Sequence, residues 1–459
     1  MAQRRTHQPN QQLAQLIEVA GCSRAALALR VNRLAASAGL SRSYTHTSIQ
    51  NWTERGMRPD KEVLPLLAAA LGERLGRPVS LEEMGFGASP APAPVEGLNF
   101  PKGPHEALHL SAEYWSTVDR RQFTAAAPFA LAAYGAPVTR WLTKPADPPL
   151  ARSDGARRVG TADLAELHQA ADEARRWDSK YGGGNWRASM VTDCLAQRAA
   201  PLLQGQFTEA IGSQLFAATA ELARIAAWAD VDMGRHASAQ QHFVQALRLA
   251  RASGDPAIGS YVLATMSLHT FLCGYTTEAA DMAEGAFERA GRAPARVLAF
   301  AKLAEARAHG RAGNTRDAEA ALARCEQLVE AADQDPDDPD WLAYLTHARV
   351  AADAAEIYRD LGQPECTLAW ERQATAMPAD AFTRAVGIRH TIIATAHLQQ
   401  HDLEPGLAAG EQALTILTNL HSTRSLAYLR ALTDALAPVR SKPQVADFLH
   451  RADRVLTTP

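Results

Sequence analysis

The sequence predicts an all-α chain, a small basic helical head followed by a long array of helix pairs. Three observations carry this. Alanine is abundant while aromatic residues make up only 6% of the 459 positions, a composition suited to close helix–helix packing. Alternating runs of Val, Ile and Thr that would mark strands are hard to find. A glycine also recurs at near-constant intervals with a small residue twelve positions after it, as at Gly234/Ala246, Gly274/Ala286, Gly313/Cys325 and Gly362/Ala374. The length is too great for one ordinary core, and 47% hydrophobic with 21% charged residues fits a folded soluble protein.

In the head, Leu13, Leu16 and Ile17 form the apolar stripe of a first helix that stops before Gly21. Ser23 is placed to cap a second helix burying Leu27, Val31 and Leu34. A polar connection over residues 37–46 follows. Thr47 is then expected to cap a third helix with Gln50 at the N3 position of a capping box, Ile49 and Trp52 facing inward, and Arg55-Gly56 closing it. Pro65 sits in the first turn of a fourth helix that buries Leu66, Leu67, Ala70 and Leu71. Ser80 and Glu83 form the capping box of a short fifth helix. Residues 1–60 hold eight arginines against Glu18, Glu54 and Asp60, a net of +5, whereas the whole chain is −3. A basic head on an acidic body fits a nucleic-acid partner at one end only.

Five short helices with a polar third one resemble the Cro/repressor-type (XRE) helix-turn-helix. The resemblance implies that the third helix enters the major groove of double-stranded DNA. Its outward residues would be Ser48, Gln50, Asn51 and Arg55, with Arg24, Arg42 and Arg58 flanking. Asn or Gln can bond adenine bidentately, and Arg reaches guanine or phosphate. The connection before the third helix departs from the family: about ten residues stand where about four are usual. That leaves the register of the contacts open.

The expected domains are 1–86, the head; 87–104, a Pro/Ala-rich spacer containing Pro90, Pro92 and Pro94; 105–160, a helical junction; and 161–459, the repeat array. The intervals between the repeat glycines are 40, 39 and 49 residues, and a weaker copy at His401/Ala413 adds another 39. The interval of 49 contains an acidic insertion over 333–340. A degenerate unit is expected at Gly205/Ala217, and two closing helices over 422–436 and 443–456. A glycine at the inter-helix turn and a small residue at the crossing resemble tetratricopeptide repeats, whose usual period is about 34. The segments 177–187 and 245–250 look like those of large actinobacterial regulators that join this helix-turn-helix to such repeats. By domain order these are similar to the peptide-sensing regulators of the RRNPP group.

The resemblance implies a cytoplasmic, dimeric, sequence-specific transcriptional regulator whose repeats sense a peptide, small molecule or partner protein. The first helices of the pairs would line the groove with Trp228, Arg235, Phe271, Tyr275, Arg307, Asn314, Glu356 and Arg359, a mixture able to clamp a peptide. The alternative is a tetratricopeptide scaffold whose head docks protein.

No catalytic residue, metal or cofactor is expected. His105, Glu106 and His109 match HExxH, but Pro104 puts the motif at a linker edge and no third ligand follows. The glycines at 182–184 lack the GK[ST] of a phosphate loop and read as a turn. Asp333, Asp335, Asp337, Asp338 and Asp340 lack the glycine and terminal glutamate of a calcium loop and read as solvated. Arg120, Arg121 and the apolar run after them mimic a twin-arginine signal far from the N-terminus, and read as an amphipathic helix. Five scattered cysteines (Cys22, Cys194, Cys273, Cys325, Cys366) without a CxxC argue for a reducing compartment. The histidines read as surface or groove residues.

Overall fold

A computed structural model describes residues 9–37, 43–60, 63–75, 79, 81, 83–86, 97–117, 129–184, 189–333, 335, 338–420 and 422–457. Among these the chain is helical, with only two isolated bridges, Arg152 to Phe207 and Arg158 to Gln206. None of the helices is long and apolar enough to cross a membrane. Packing divides the chain into two units, Met1–Val95 and Glu96–Pro459.

The first unit contains α1 (Gln11–Val19), α2 (Arg24–Ser37), α3 (His46–Glu54) and α4 (Leu64–Leu75). The 3.6-residue spacing of Leu13, Leu16 and Ile17 on α1, Leu27 and Val31 on α2, and Leu67, Ala70 and Leu71 on α4 buries one face of each helix. These faces meet Ile49 and Trp52 of α3 in one core. Ser23 Oγ accepts from Ala26 N at 3.2 Å, the expected cap. Among the described residues no fifth helix forms. Leu81 and residues 83–86 are turns, with Met84 and Phe86 buried in the core; Ser80, and with it half of the expected capping box, lies outside the described residues.

The second unit opens with α5 (Pro104–Thr117), α6 (Ala132–Thr143) and α7 (Thr161–Tyr181). A helix over α8 (Ser189–Cys194), a π-turn and α9 (Ala200–Leu203) follows. Five antiparallel pairs come next: α10 (Glu209–Asp232) with α11 (His236–Ser253), α12 (Pro256–Leu272) with α13 (Thr276–Ala290), α14 (Ala295–Ala312) with α15 (Thr315–Ala332), α16 (His347–Asp360) with α17 (Pro364–Ala374), and α18 (Thr383–Gln399) with α19 (Leu403–Leu417). The closing helices are α20 (Thr423–Leu436) and α21 (Pro443–Thr457), with Ser422 capping the former.

Each pair turns in the same way. Gly234, Gly274, Gly313, Gly362 and His401 all have left-handed φ between +63° and +91°. After each, a backbone N–H reaches the carbonyl five residues back, as Arg235 does to Asp230 and Asp402 to His397, at 2.8–3.1 Å. That is the Schellman closure, which favours glycine because it lacks a Cβ. Twelve residues on, Ala246, Ala286, Cys325, Ala374 and Ala413 are fully buried. Gly205 is different. It follows α9 beside the irregular 152–158 segment, and its N–H bonds Leu202 O, so no earlier pair exists at Gly205/Ala217.

Two expectations about the linking segments are corrected. Residues 97–104 are docked on the second unit: Gln245 Nε2 donates to Gly97 O at 2.6 Å and Arg248 Nε to Pro101 O at 2.8 Å. Residues 105–117 and 129–160 share the core of the helix pairs, through Leu108, Trp115, Tyr134 and Trp141. The Pro/Ala run at 90–94 and the twin-arginine segment at 120–123 lie outside the described residues.

Candidate functional site

In the first unit, α3 has one face in the core and the other outward. Its cap is Thr45 rather than Thr47: the Ser48 side chain sits at N3 and accepts from Thr45 N at 3.1 Å. The helix therefore starts earlier than expected, capping occupies Ser48, and Gln50 is released from that role. Gln50 Nε2 instead donates to Glu54 at 2.7 Å, and Arg24 pairs with the same carboxylate at 2.8 Å. These hydrogen bonds, Gln50 first, hold the Glu54 carboxyl below its ordinary range. Asn51 is half-buried and Arg55 exposed at the helix end. Arg58 is tied back, donating to Phe86 O at 2.9 Å. Arg42 lies outside the described residues. Gln50, Asn51, Arg55 and Arg24 thus share one region, with the Glu54 carboxylate among them.

In the second unit the array closes on itself. Helix α18 packs on α7 and α20 on α10. Arg384 bonds both oxygens of Asp178 at 3.0 and 2.8 Å and pairs with Asp232 at 3.2 Å. Arg424 reaches Asp232 at 3.1 Å, and Thr423 Oγ1 donates to Met233 O at 3.1 Å. Gly183 N donates to Asp232 at 2.8 Å. The glycines after α7 are the turn the sequence predicts, and they also hold this lock.

Behind the lock lies a cavity lined by six arginines, Arg175, Arg224, Arg307, Arg349, Arg384 and Arg424, and by the rings of Trp228, Tyr261, Phe300, Tyr344 and Phe382. Asp178 is the lone carboxylate among these lining residues. A second compartment shares Arg307, Arg349, Arg384 and Arg424 and adds Asp353, Glu356 and Arg389. Carboxylates hold the guanidinium groups: Glu221 takes Arg175 and Arg224, Asp353 takes Arg307 and Arg349, and Glu356 takes Arg307 and Arg311. Burial works against charge on Glu356, but Arg307, Arg359 and Arg311 outweigh it and hold the carboxyl at about 2. Asp232 is likewise lowered, Arg384 and Arg424 overcoming its burial. Arg224 stacks over Tyr261 at 4.3 Å and Arg424 over Trp228 at 5.2 Å. The Arg307 Nε, although buried, has no hydrogen-bond partner among the described residues. Such a wall can take an anionic group beside an aromatic or apolar one.

Of the expected groove residues, Trp228, Arg307 and Glu356 line this cavity, and Arg359 lines a neighbouring one beside Gly234 and Tyr428. Phe271 is buried beneath Arg307 and Arg311, 5.2 and 4.7 Å from its ring. Arg235, Tyr275 and Asn314 are the residues just after the turns and serve those turns. Arg235 pairs with Asp230 at 2.6 Å, Tyr275 packs against Phe129 at 5.3 Å, and Asn314 is exposed beside His309. Counting from the glycine therefore placed three residues one turn too far along.

His105, Glu106 and His109 are exposed on α5, and His109 Nε2 lies 3.9 Å from Glu113. The acidic insertion is not simply solvated: Asp333 and Asp338 clasp the buried Arg296. Nor are all histidines at the surface or in the groove, since His242 and His269 are buried. His236 Nδ1 lies 3.1 Å from His269 Nε2 and 3.6 Å from Cys273 Sγ. Burial lowers both imidazoles below their ordinary value, His269 further, and pushes the Cys273 thiol up to about 12.

The family model described as the SP15 N-terminal domain matches residues 13–87, which coincide with the first unit from α1 to just past Phe86. No curated protein sequence matches the chain.

Proposed function

We propose that the chain is a sequence-specific DNA-binding transcriptional regulator, α2 and α3 forming its helix-turn-helix and the five pairs a tetratricopeptide-like solenoid that senses a ligand and mediates dimerisation. The observation that carries this reading is α3: Ile49 and Trp52 anchor one face, and the other offers Gln50, Asn51 and Arg55 beside Arg24 on a basic unit. Those side chains suit base edges and phosphates, and a nine-residue helix spans enough of a major groove to read a few base pairs.

The cavity narrows the effector. Two of its lining arginines, Arg384 and Arg424, are paired with Asp178 and Asp232, which favours a compact anion, a small molecule with a carboxylate or phosphate and an aromatic or apolar part, over an extended peptide. Such an anion competes with Asp178 and Asp232 for the same arginines, so binding would loosen or re-set the contact between α7/α10 and α18/α20. A ligand shifts this equilibrium only through its different affinities for the two arrangements, about 1.4 kcal/mol giving a tenfold change.

Sequencing the genomic fragments retained by the full chain tests the reading. Enrichment of a shared motif by the parent, with its loss in Asn51→Ala, is expected. Fragments that merely sample the genome would leave the scaffold alternative standing.

A further inference from the structure

We propose that His236, His269 and Cys273 form a binding site for a divalent ion of the zinc class, at the point where two successive helix pairs turn. His236 opens α11 just after Gly234, while His269 and Cys273 stand four apart at the end of α12, just before Gly274. The array brings the two turns together, and with them three donor atoms that all lie within 4.8 Å of one another.

Two of the three donor separations match those of a common ion. Zn–N of about 2.0–2.1 Å and Zn–S of about 2.3 Å at tetrahedral angles place two nitrogens about 3.3 Å apart and nitrogen and sulfur about 3.6 Å apart. The observed separations are 3.1 Å for His236 Nδ1 to His269 Nε2 and 3.6 Å for His236 Nδ1 to Cys273 Sγ, and the third pair, His269 and Cys273, lies within 4.8 Å. Two imidazoles and one thiolate are a borderline-soft set that prefers zinc to magnesium or calcium.

The surroundings support the ligands. His269 Nδ1 lies 2.8 Å from Tyr134 Oη, so with its N–H donated there, Nε2 keeps its lone pair for the ion. Phe129 meets the His269 ring edge-on at 4.9 Å, leaving little room for it to rotate away. His236 also lines the neighbouring cavity with Leu272, Arg311 and Tyr428, which gives an entry path and leaves a fourth position for water or an effector. Binding converts Cys273–SH to a metal thiolate with release of one proton to solvent, and no electron moves.

Cobalt(II) reports on such a site. The full chain, freed of metal by a chelator and titrated with Co²⁺, should take up one ion with the visible bands of tetrahedral cobalt and a thiolate-to-cobalt band in the near ultraviolet. Zn²⁺ should abolish both and raise the melting temperature. Cys273→Ser should lose the near-ultraviolet band with an unchanged helical circular-dichroism spectrum. Tyr134→Phe should bind about tenfold to a hundredfold more weakly. Cys366→Ser and His109→Ala should behave as the parent. A folded parent without these bands, bands that persist in Cys273→Ser, or equal loss in Cys366→Ser would overturn the site.

Discussion

Asp232 and Glu356 are the residues on which the second unit's polar interior turns, because each is buried and holds more than one arginine. Glu356 has a folded pKa of about 2 against an ordinary 4.5, so ionisation favours the fold. Its contribution is fully present above about pH 4.5 and is lost as pH falls through the folded value. Urea midpoints should therefore hold steady near neutrality and drop on acidification below that point. Glu356→Gln should cost about 3–5 kcal/mol at neutral pH, because it strands buried arginines, and should flatten part of the acid slope. In the first unit, Glu54 occupies Gln50 and Arg24. Glu54→Gln should strengthen binding to any duplex, whereas Asn51→Ala should cost about 1–3 kcal/mol on a specific site and little on random DNA. Fluorescence anisotropy with both duplex types separates these effects. Little of this chemistry was legible in the sequence. Arg224 sits in an alanine-rich stretch with Glu221 three residues before it, which was the available signal. Its cavity neighbours Arg175 and Arg424 come from opposite ends of the repeat region, and no local pattern joins them.

Helices were legible because their cause is local. Apolar spacing, caps and turn glycines are written within a few residues, so the five pairs and the closing helices follow from the sequence. Even the weak copy held, since His401 adopts the left-handed conformation that glycine takes in the other four turns. That residue carries a conformational penalty of about 1–2 kcal/mol. His401→Gly should raise stability by up to about 1 kcal/mol, less than the full penalty because glycine also loosens the unfolded chain. Gly274→Ala should lower stability by about 1 kcal/mol: nothing lies within 4 Å of the added methyl, so backbone strain alone opposes it. Thermal denaturation of the two variants should therefore move in opposite directions. Elements were misread where tertiary contacts decided. Ser80 and Glu83 read as a capping box, yet Leu81 and residues 83–86 are turns with Met84 and Phe86 pulled into the core, and Thr47 lost the cap of α3 to Thr45. The interval between Gly205 and Ala217 matched the repeat by spacing alone.

At the scale of the molecule, α18 and α20 return to α7 and α10, and the expected groove residues Trp228, Arg307 and Glu356 stand beside that contact. Closure depends on contacts between residues up to 206 positions apart, such as Arg384 and Asp178, beyond the reach of periodicity. The proposed regulator needs two heads on a palindromic site, and the repeats are the element expected to supply the dimer contact. Light scattering on the full chain at micromolar concentration should give the mass of two chains, and a monomer would remove that part of the account.

The proposed DNA-binding surface of the first unit is α3 with its neighbouring arginines. Measuring duplex affinity of the full chain across a series of salt concentrations tests it most directly. Phosphate neutralisation predicts that log affinity falls linearly with log salt, with a slope reduced by about 1 when a phosphate-contacting arginine such as Arg24 or Arg55 is changed to alanine. No binding at low salt, or a slope indifferent to both substitutions, would contradict it.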